Sequence, residues 1–188
     1  MPATPGRSVF AMEPAVLDAT KAAIRRRGAA SLTVNDLTPA DLGQIAWSGG
    51  PLHMPAVAHA LTRADQGEVD YLAVRSPDGW PVSIGGVDYA PHEGAGTLWQ
   101  LTTHGELTGL GIGTCLIAAL EDRIRARGLP WAMLGVEDCN TRARALYDRL
   151  GYGECGHEQG SWPEQDDHGN VVTYQAELTL MRKRLSGS

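Results

Sequence analysis

Thr108 to Thr114 reads TGLGIGT, three glycines separated by single aliphatic residues. An apolar run precedes the stretch and a long amphipathic pattern follows it. A backbone bare at alternate positions lets successive N–H groups close on an anion, and a helix start adds partial positive charge there. Pyrophosphate suits such a cradle, and a ligand-free strand-to-helix corner would use the same residues. Two nucleotide loops do not fit. Gly113-Thr114 lacks the lysine of a Walker A loop. Counted from Gly109 or Gly111, the third glycine of G-x-G-x-x-G falls on Thr114 or Leu116.

Other residues carry chemistry more weakly. Asn140 precedes a short amphipathic pattern containing Ala143, Leu146, Tyr147 and Leu150, so its side chain can cap a helix or hydrogen-bond a ligand. Tyr147 reads as a core aromatic or as a phenol available for proton transfer. In GSWPEQDDHGNV, Glu164, Asp166 and Asp167 stand near Trp162, a combination that receives a cationic amine or is ordinary loop polarity. His53 and Met54 stand before another helical pattern and are candidates to line the same site.

Composition bounds the alternatives. A chain of 188 residues suits one domain with a real core. A net charge of -6, with Arg25-Arg26-Arg27 the only tight basic run, argues against a sequence-independent nucleic-acid binder. Cys115, Cys139 and Cys155 show no CxxC spacing, giving no zinc site and no disulfide framework, so a reducing cytoplasm is the expected location. No stretch reads as a membrane span, and no metal is expected. Met12 offers an alternative start, which makes residues 1–11 an expected dispensable tail.

The elements follow from periodicity and punctuation. A helix is expected over Glu13 to Arg27, stopped by Gly28, then a short strand over Ser31 to Val34. Thr38-Pro39-Ala40-Asp41 opens a helix through Trp47, and a second carries Val57, Ala58 and Leu61. Val69 to Ser76 and Trp80 to Tyr89 form a hairpin across Pro77-Asp78-Gly79, and Thr97 to Thr103 is the next strand. Ile112, Leu116, Leu120 and Ile124 recur every four residues in a helix ended by Gly128. Trp131 to Val136 is a buried strand. Two more, near Tyr152 to Glu158 and Val171 to Arg182, flank a polar loop. The strand–helix–strand unit from Thr97 to Val136 implies a parallel pair with a right-handed crossover in an otherwise mostly antiparallel α/β sheet of six to seven strands, with helices on both faces.

The residues LTTHGELTGLGIGTCLIAALEDRIRARG, LPWAMLGVEDCNTRARALYDRLGY and AELTLMRKRL together resemble the GNAT superfamily of acetyl-CoA-dependent N-acetyltransferases. The likeness runs from Ser31 to Leu185 and is strongest over residues 98 to 152. Gly111 and Gly113 fill the glycine positions of the signature Gln/Arg-x-x-Gly-x-Gly/Ala, with Thr108 in place of the Gln or Arg. Asn140, Ala143, Leu146, Tyr147, Gly151 and Tyr152 match Asn-x-x-Ala-x-x-Leu-Tyr-x-x-x-Gly-Phe/Tyr.

That resemblance implies a single GNAT-like domain over 31–185, preceded by a tail and extra helix over 1–30 and followed by a flexible C-terminus over 186–188. It implies a splayed parallel pair at a cofactor cleft. Acetyl-CoA would pair with backbone near Leu101, Thr102 and Thr103, with its pyrophosphate on Thr108, Gly109, Leu110, Gly111, Ile112, Gly113 and Thr114. Asn140 and Tyr147 would also contact it, Tyr147 as the general acid for the leaving thiolate. The glutamate that several members carry as base is replaced by Trp99, which leaves Asp88, His92, Glu93 and Glu137 as candidates beside a water relay or an amine that arrives neutral, and the base stays open. The expected activity is acetyl or short-acyl transfer to a primary amine of a small molecule. A protein N-terminus or lysine as acceptor, and a catalytically silent acyl-CoA sensor, stay open. The resemblance also allows a homodimer.

Overall fold

The computed structural model describes residues 12, 14–166 and 168–185. The expected tail 1–11, the helix start at Glu13, the Asp167 carboxylate and the C-terminus 186–188 lie outside them. Seven strands form one sheet: β1 (Thr33–Asp36), β2 (Val69–Arg75), β3 (Pro81–Asp88), β4 (Ala95–Thr103), β5 (Trp131–Glu137), β6 (Gly153–Gln165) and β7 (Val171–Arg184). Their order is β1-β2-β3-β4-β5-β7-β6, antiparallel throughout except for the parallel pair β4–β5.

Helices cover both faces. On one lie α1 (Pro14–Arg27), α3 (Ile112–Ala126) and α4 (Thr141–Arg149); on the other lies α2 (His53–Asp65). The four-residue stripe of α3 is the keel of the main core: Ile112, Leu116, Leu120 and Ile124 are all at most 1% exposed, packed with Leu98, Leu134 and Val136. Gly96 lets α3 sit close, since a Cβ there would fall 2.5 Å from Ile124 Cγ1. A smaller core sets Val57, Ala60 and Leu61 of α2 against Tyr71, Ala73 and Ile84.

Three local expectations change. The first strand is Thr33–Asp36 rather than Ser31 to Val34, because Ser31 closes a 3-10 turn by donating to the Gly28 carbonyl (2.8 Å) and pairing with β2 begins at Thr33. Pro39–Gln44 and Ala46–Ser48 are 3-10 turns instead of one α-helix. The Asp41 carboxylate accepts from Thr38 N (2.8 Å) and from both terminal nitrogens of Arg75 (2.8 Å each), tying the segment to β2, while Gly43 weakens any helical preference. The expected polar loop after Glu158 is mostly strand, since β6 runs on to Gln165 and pairs with β7 along its length.

One charged group lies inside the main core. Glu121 on α3 is 3% exposed and accepts from Lys183 Nζ (2.8 Å to each oxygen), Tyr152 Oη (3.0 Å) and Arg125. Burial, with the Glu121 carboxylate beside it, pushes the Tyr152 phenol well above its usual pKa. Lys183→Met removes the main counter-charge and is expected to destabilise the fold by about 3 kcal/mol. Pairing it with Glu121→Leu should recover part of that loss. Urea denaturation of both variants checks this; a double variant less stable than the single would contradict it.

Candidate active site

The site is built where β4 and β5 part. Their parallel pairing covers only Ala95–Trp131 through Leu98–Leu134. Past that point β4 carries a bulge against β3: Gly86 faces Trp99 and Ile84 faces Thr102, so Gln100 and Leu101 stand opposite Gly85 alone. The backbone of β4 beyond Leu98 has no strand partner on its β5 side.

A cavity of about 470 Å³ occupies the resulting gap on the α3 side. It is lined by Leu101, Thr102 and Thr103 of β4, by Thr108, Gly109, Gly111, Ile112, Gly113 and Thr114, and by Asn140 and Tyr147. Leu110 alone of the expected set turns away and packs, half-buried, against the main core. Lining residues that sequence reasoning missed include Ser83, Leu107, Leu146, Arg142 and Arg149. Ser83 arrives through register with Thr103, to whose hydroxyl it bonds (2.8 Å), and nothing local in the sequence marks it. Arg142, Leu146 and Arg149 had a signal: spaced four and three apart, they share one face of α4.

The glycines of the loop are not alike. Gly109 and Gly111 both have φ +80, which side chains disfavour, and a Cβ on either would meet nothing within 4 Å. Gly113 lies in the first turn of α3, where a Cβ would make an ordinary 3.5 Å contact with Thr103 Oγ1. The first-turn N–H groups of this 15-residue helix have no intrahelical partners, and Arg142 and Arg149 line the same cavity. An open, glycine-floored, positively biased cradle fits the phosphates of coenzyme A.

Asn140 Oδ1 accepts from Ala143 N (3.1 Å), so it caps α4 while lining the cavity. Tyr147 packs edge-on to Tyr152 (6.1 Å between centroids), and burial pushes its phenol pKa up.

Of the base candidates, three lie at the wrong end of the strands. Asp88 pairs with Arg63 (2.7 Å); burial works against its charge, but Arg63 and the Ala90 N–H outweigh it and hold the carboxyl below its usual range. His92 bonds Thr97 Oγ1 (3.1 Å) in the β3–β4 turn, which also holds the exposed Glu93. Glu137, at the end of β5, accepts from Tyr174 Oη (3.2 Å) and stands at the parted end. Trp99 lies over Gly86 in contact with Tyr71.

The expected acceptor residues divide. Asp166 is a turn device that accepts from His168 N (2.9 Å) and Asn170 N (2.8 Å). Glu164 is exposed on β6, and Trp162 packs against Tyr174 with the rings tilted by 46° (5.1 Å between centroids). Met54 packs in the smaller core. His53 Nε2 and Trp47 Nε1 are buried without a hydrogen-bond partner, and burial pushes the His53 pKa down. Neither lines the cavity. No group of three or more His, Cys, Asp or Glu able to hold a metal occurs among the described residues, and no helix among them is long and apolar enough to cross a membrane.

Residues 46–152 match the sequence profile of the acetyltransferase (GNAT) family. A mycothiol acetyltransferase of Acidimicrobium ferrooxidans is 40% identical over 57 residues, which is 30% of this chain. The match spans 18% of that relative's own length. Among solved structures, a Klebsiella pneumoniae protein named as an acyl-CoA N-acyltransferase is 28% identical at a TM-score of 0.59, over 84% of this chain and 99% of that one. A phosphinothricin acetyltransferase of Sinorhizobium meliloti, solved with acetyl-CoA, shares the fold at a TM-score of 0.64 and 18% identity, over 84% and 91% of the two chains.

Gly111→Val places a branched side chain in the cradle at a strained φ and is expected to weaken coenzyme A binding at least about tenfold, whereas Gly113→Ala stays within about twofold of wild type. Isothermal titration of both variants decides it. An unchanged dissociation constant in a folded Gly111→Val protein would take the loop out of the cofactor site.

Proposed function

The chain belongs to the acetyltransferase (GNAT) family, and from that premise we propose that it moves an acetyl or other short acyl group from coenzyme A to a primary amine of a small molecule. The observation that carries this reading is a gap with two unlike sides. The α3 side is the glycine-floored cavity. On the α2 side, register places Glu137, Leu178 and Glu158 in one row across β5, β7 and β6, with side chains on a common face. Ala132, Leu134 and Val136 point into the main core, so Glu137 faces the other way, as Trp99 does. Two carboxylates beside the Trp162–Tyr174 pair suit an ammonium group.

Coenzyme A supplies an acetyl thioester, whose C–S bond breaks as a C–N bond forms with the amine. In this reading the loop from Thr108 to Thr114 and the two arginines hold the phosphates. A backbone N–H of Leu101 or Thr102 faces the acyl oxygen and stabilises the charge that develops there. Glu137 takes the proton that keeps the incoming amine charged, Tyr147 gives one to the departing sulfur, and the second proton that nitrogen loses as the amide forms passes through water to restore the Tyr147 phenol.

The test is release of free thiol from acetyl-CoA across a panel of monoamines, diamines, amino acids and short peptides. Turnover with small amines supports the reading. Turnover confined to peptides favours a protein acceptor, and tight coenzyme A binding with no turnover favours a sensor.

Tyr147→Phe is expected to lower kcat by about a hundredfold with the KM for acetyl-CoA within about twofold. Because the buried phenol titrates above its ordinary value near pH 10, wild-type kcat should lose nothing to Tyr147 ionisation until above about pH 10. Full turnover by the phenylalanine variant at neutral pH would remove Tyr147 from the proton path.

A further inference from the structure

We propose that Tyr71 is a positioning residue: its hydroxyl, bonded to the Gln100 side chain, holds the β4 bulge that presents backbone N–H groups to the gap. The inference rests on the acyl-transfer reading for its consequence in turnover, but the pin itself stands on geometry. Tyr71, Gly86 and Trp99 occupy one row across β2, β3 and β4. Gly86 keeps the middle of that row empty; a Cβ there would fall 2.3 Å from the Trp99 ring. The Trp99 ring therefore lies over β3 and meets Tyr71 edge-on, with centroids 5.5 Å apart at 90°. The next residue, Gln100, has φ +53 and is the only non-glycine with positive φ among the described residues.

L side chains disfavour that conformation because Cβ crowds the carbonyl oxygen, so it persists only where neighbours impose it. The Tyr71 hydroxyl imposes it by donating to Gln100 Oε1 at 3.0 Å. Trp99 and Gln100 thus both turn to the α2 side, and Leu101 turns back to line the cavity, packed beside Leu116 near Gly85. Tyr71 is 1% exposed and does not line the cavity, so it acts through Gln100. Burial pushes its pKa far up, and it remains a donor at any working pH.

The test is a double-mutant cycle in the full chain. Tyr71→Phe keeps the ring and removes the hydroxyl; Gln100→Met keeps the length and removes the acceptor. Each single variant and the double are expected to lower kcat by the same factor, about tenfold, with the KM for acetyl-CoA within about twofold. An unchanged kcat in Tyr71→Phe, or losses that multiply in the double, would overturn the proposal. A second readout needs no acceptor. In the coenzyme A complex, the backbone amide resonances of Gln100, Leu101 and Thr102 should move in both single variants and move no further in the double. Amides that stay put in Tyr71→Phe overturn the pin whatever the activity. Amides that move in a protein inactive with every amine leave the pin standing and defeat the acyl-transfer reading. If Tyr71→Phe fails to fold, Gln100→Met asks both questions from the other end of the bond.

Discussion

Parallel pairing between β4 and β5 lasts four residue pairs and then stops, and the chemistry open to this molecule depends on where it stops. Below that point the two strands are clamped by the core: Leu98, Leu134 and Ala132 pack under Leu116, Leu120 and Ile124, and Gly96 brings α3 close. Above it the bulge spends two residues of β4 against one of β3 and bends the strand. A clamp at one end and a bend at the other force the strands to diverge. The unpaired backbone that results would be costly in a sealed core; at a cavity it becomes a row of hydrogen-bonding groups for a ligand.

The far wall of the gap is held differently. No residue of α4 is fully buried, and the helix rests on partial contacts through Ala143, Leu146, Tyr147 and Leu150. Its start is capped by Asn140 and its end runs into Tyr152, whose hydroxyl reaches the buried Glu121–Lys183 pair. Arg144 adds a bond to Glu154 on β6. The wall is thus anchored at its ends and lightly packed between them, so Arg142 and Arg149 reach the cavity from one face of α4 while Tyr147, on another, touches both the cavity and the core.

Much of this was legible in the residues. The stripe from Ile112 to Ile124, the stops at Gly28 and Gly128, the cap at Asn140 and the parallel crossover all follow from local rules that burial reinforces. The glycine loop was legible as a set but not residue by residue, because the different demands on Gly109, Gly111 and Gly113 arise from φ and from Thr103 across the gap. The 3-10 turns after Thr38 were not legible, since they depend on Arg75 reaching Asp41 from another strand. The long β6–β7 hairpin was hidden by glycine, proline and acidic residues that read as loop. There the strands are specified by pairing with each other, and Asp166 closes the turn. Glu137 could be named only as one of four carboxylates and imidazoles, because which end of a strand a residue occupies is a property of the sheet.

Charge is divided across the sheet in a way that composition conceals. The chain as a whole carries -6, which by itself would oppose a polyanionic ligand. Fields at a protein surface are local, however, and are screened over roughly 8 Å at physiological salt. Within that reach the cavity sees Arg142, Arg149 and the start of α3, while the opposite face sees Glu137 and Glu158. On the proposed reading, phosphates and an ammonium group would therefore approach from opposite sides of one sheet, each toward charge of the opposite sign. In the proposed reading they would meet where β4 and β5 part, between Leu101 and Glu137.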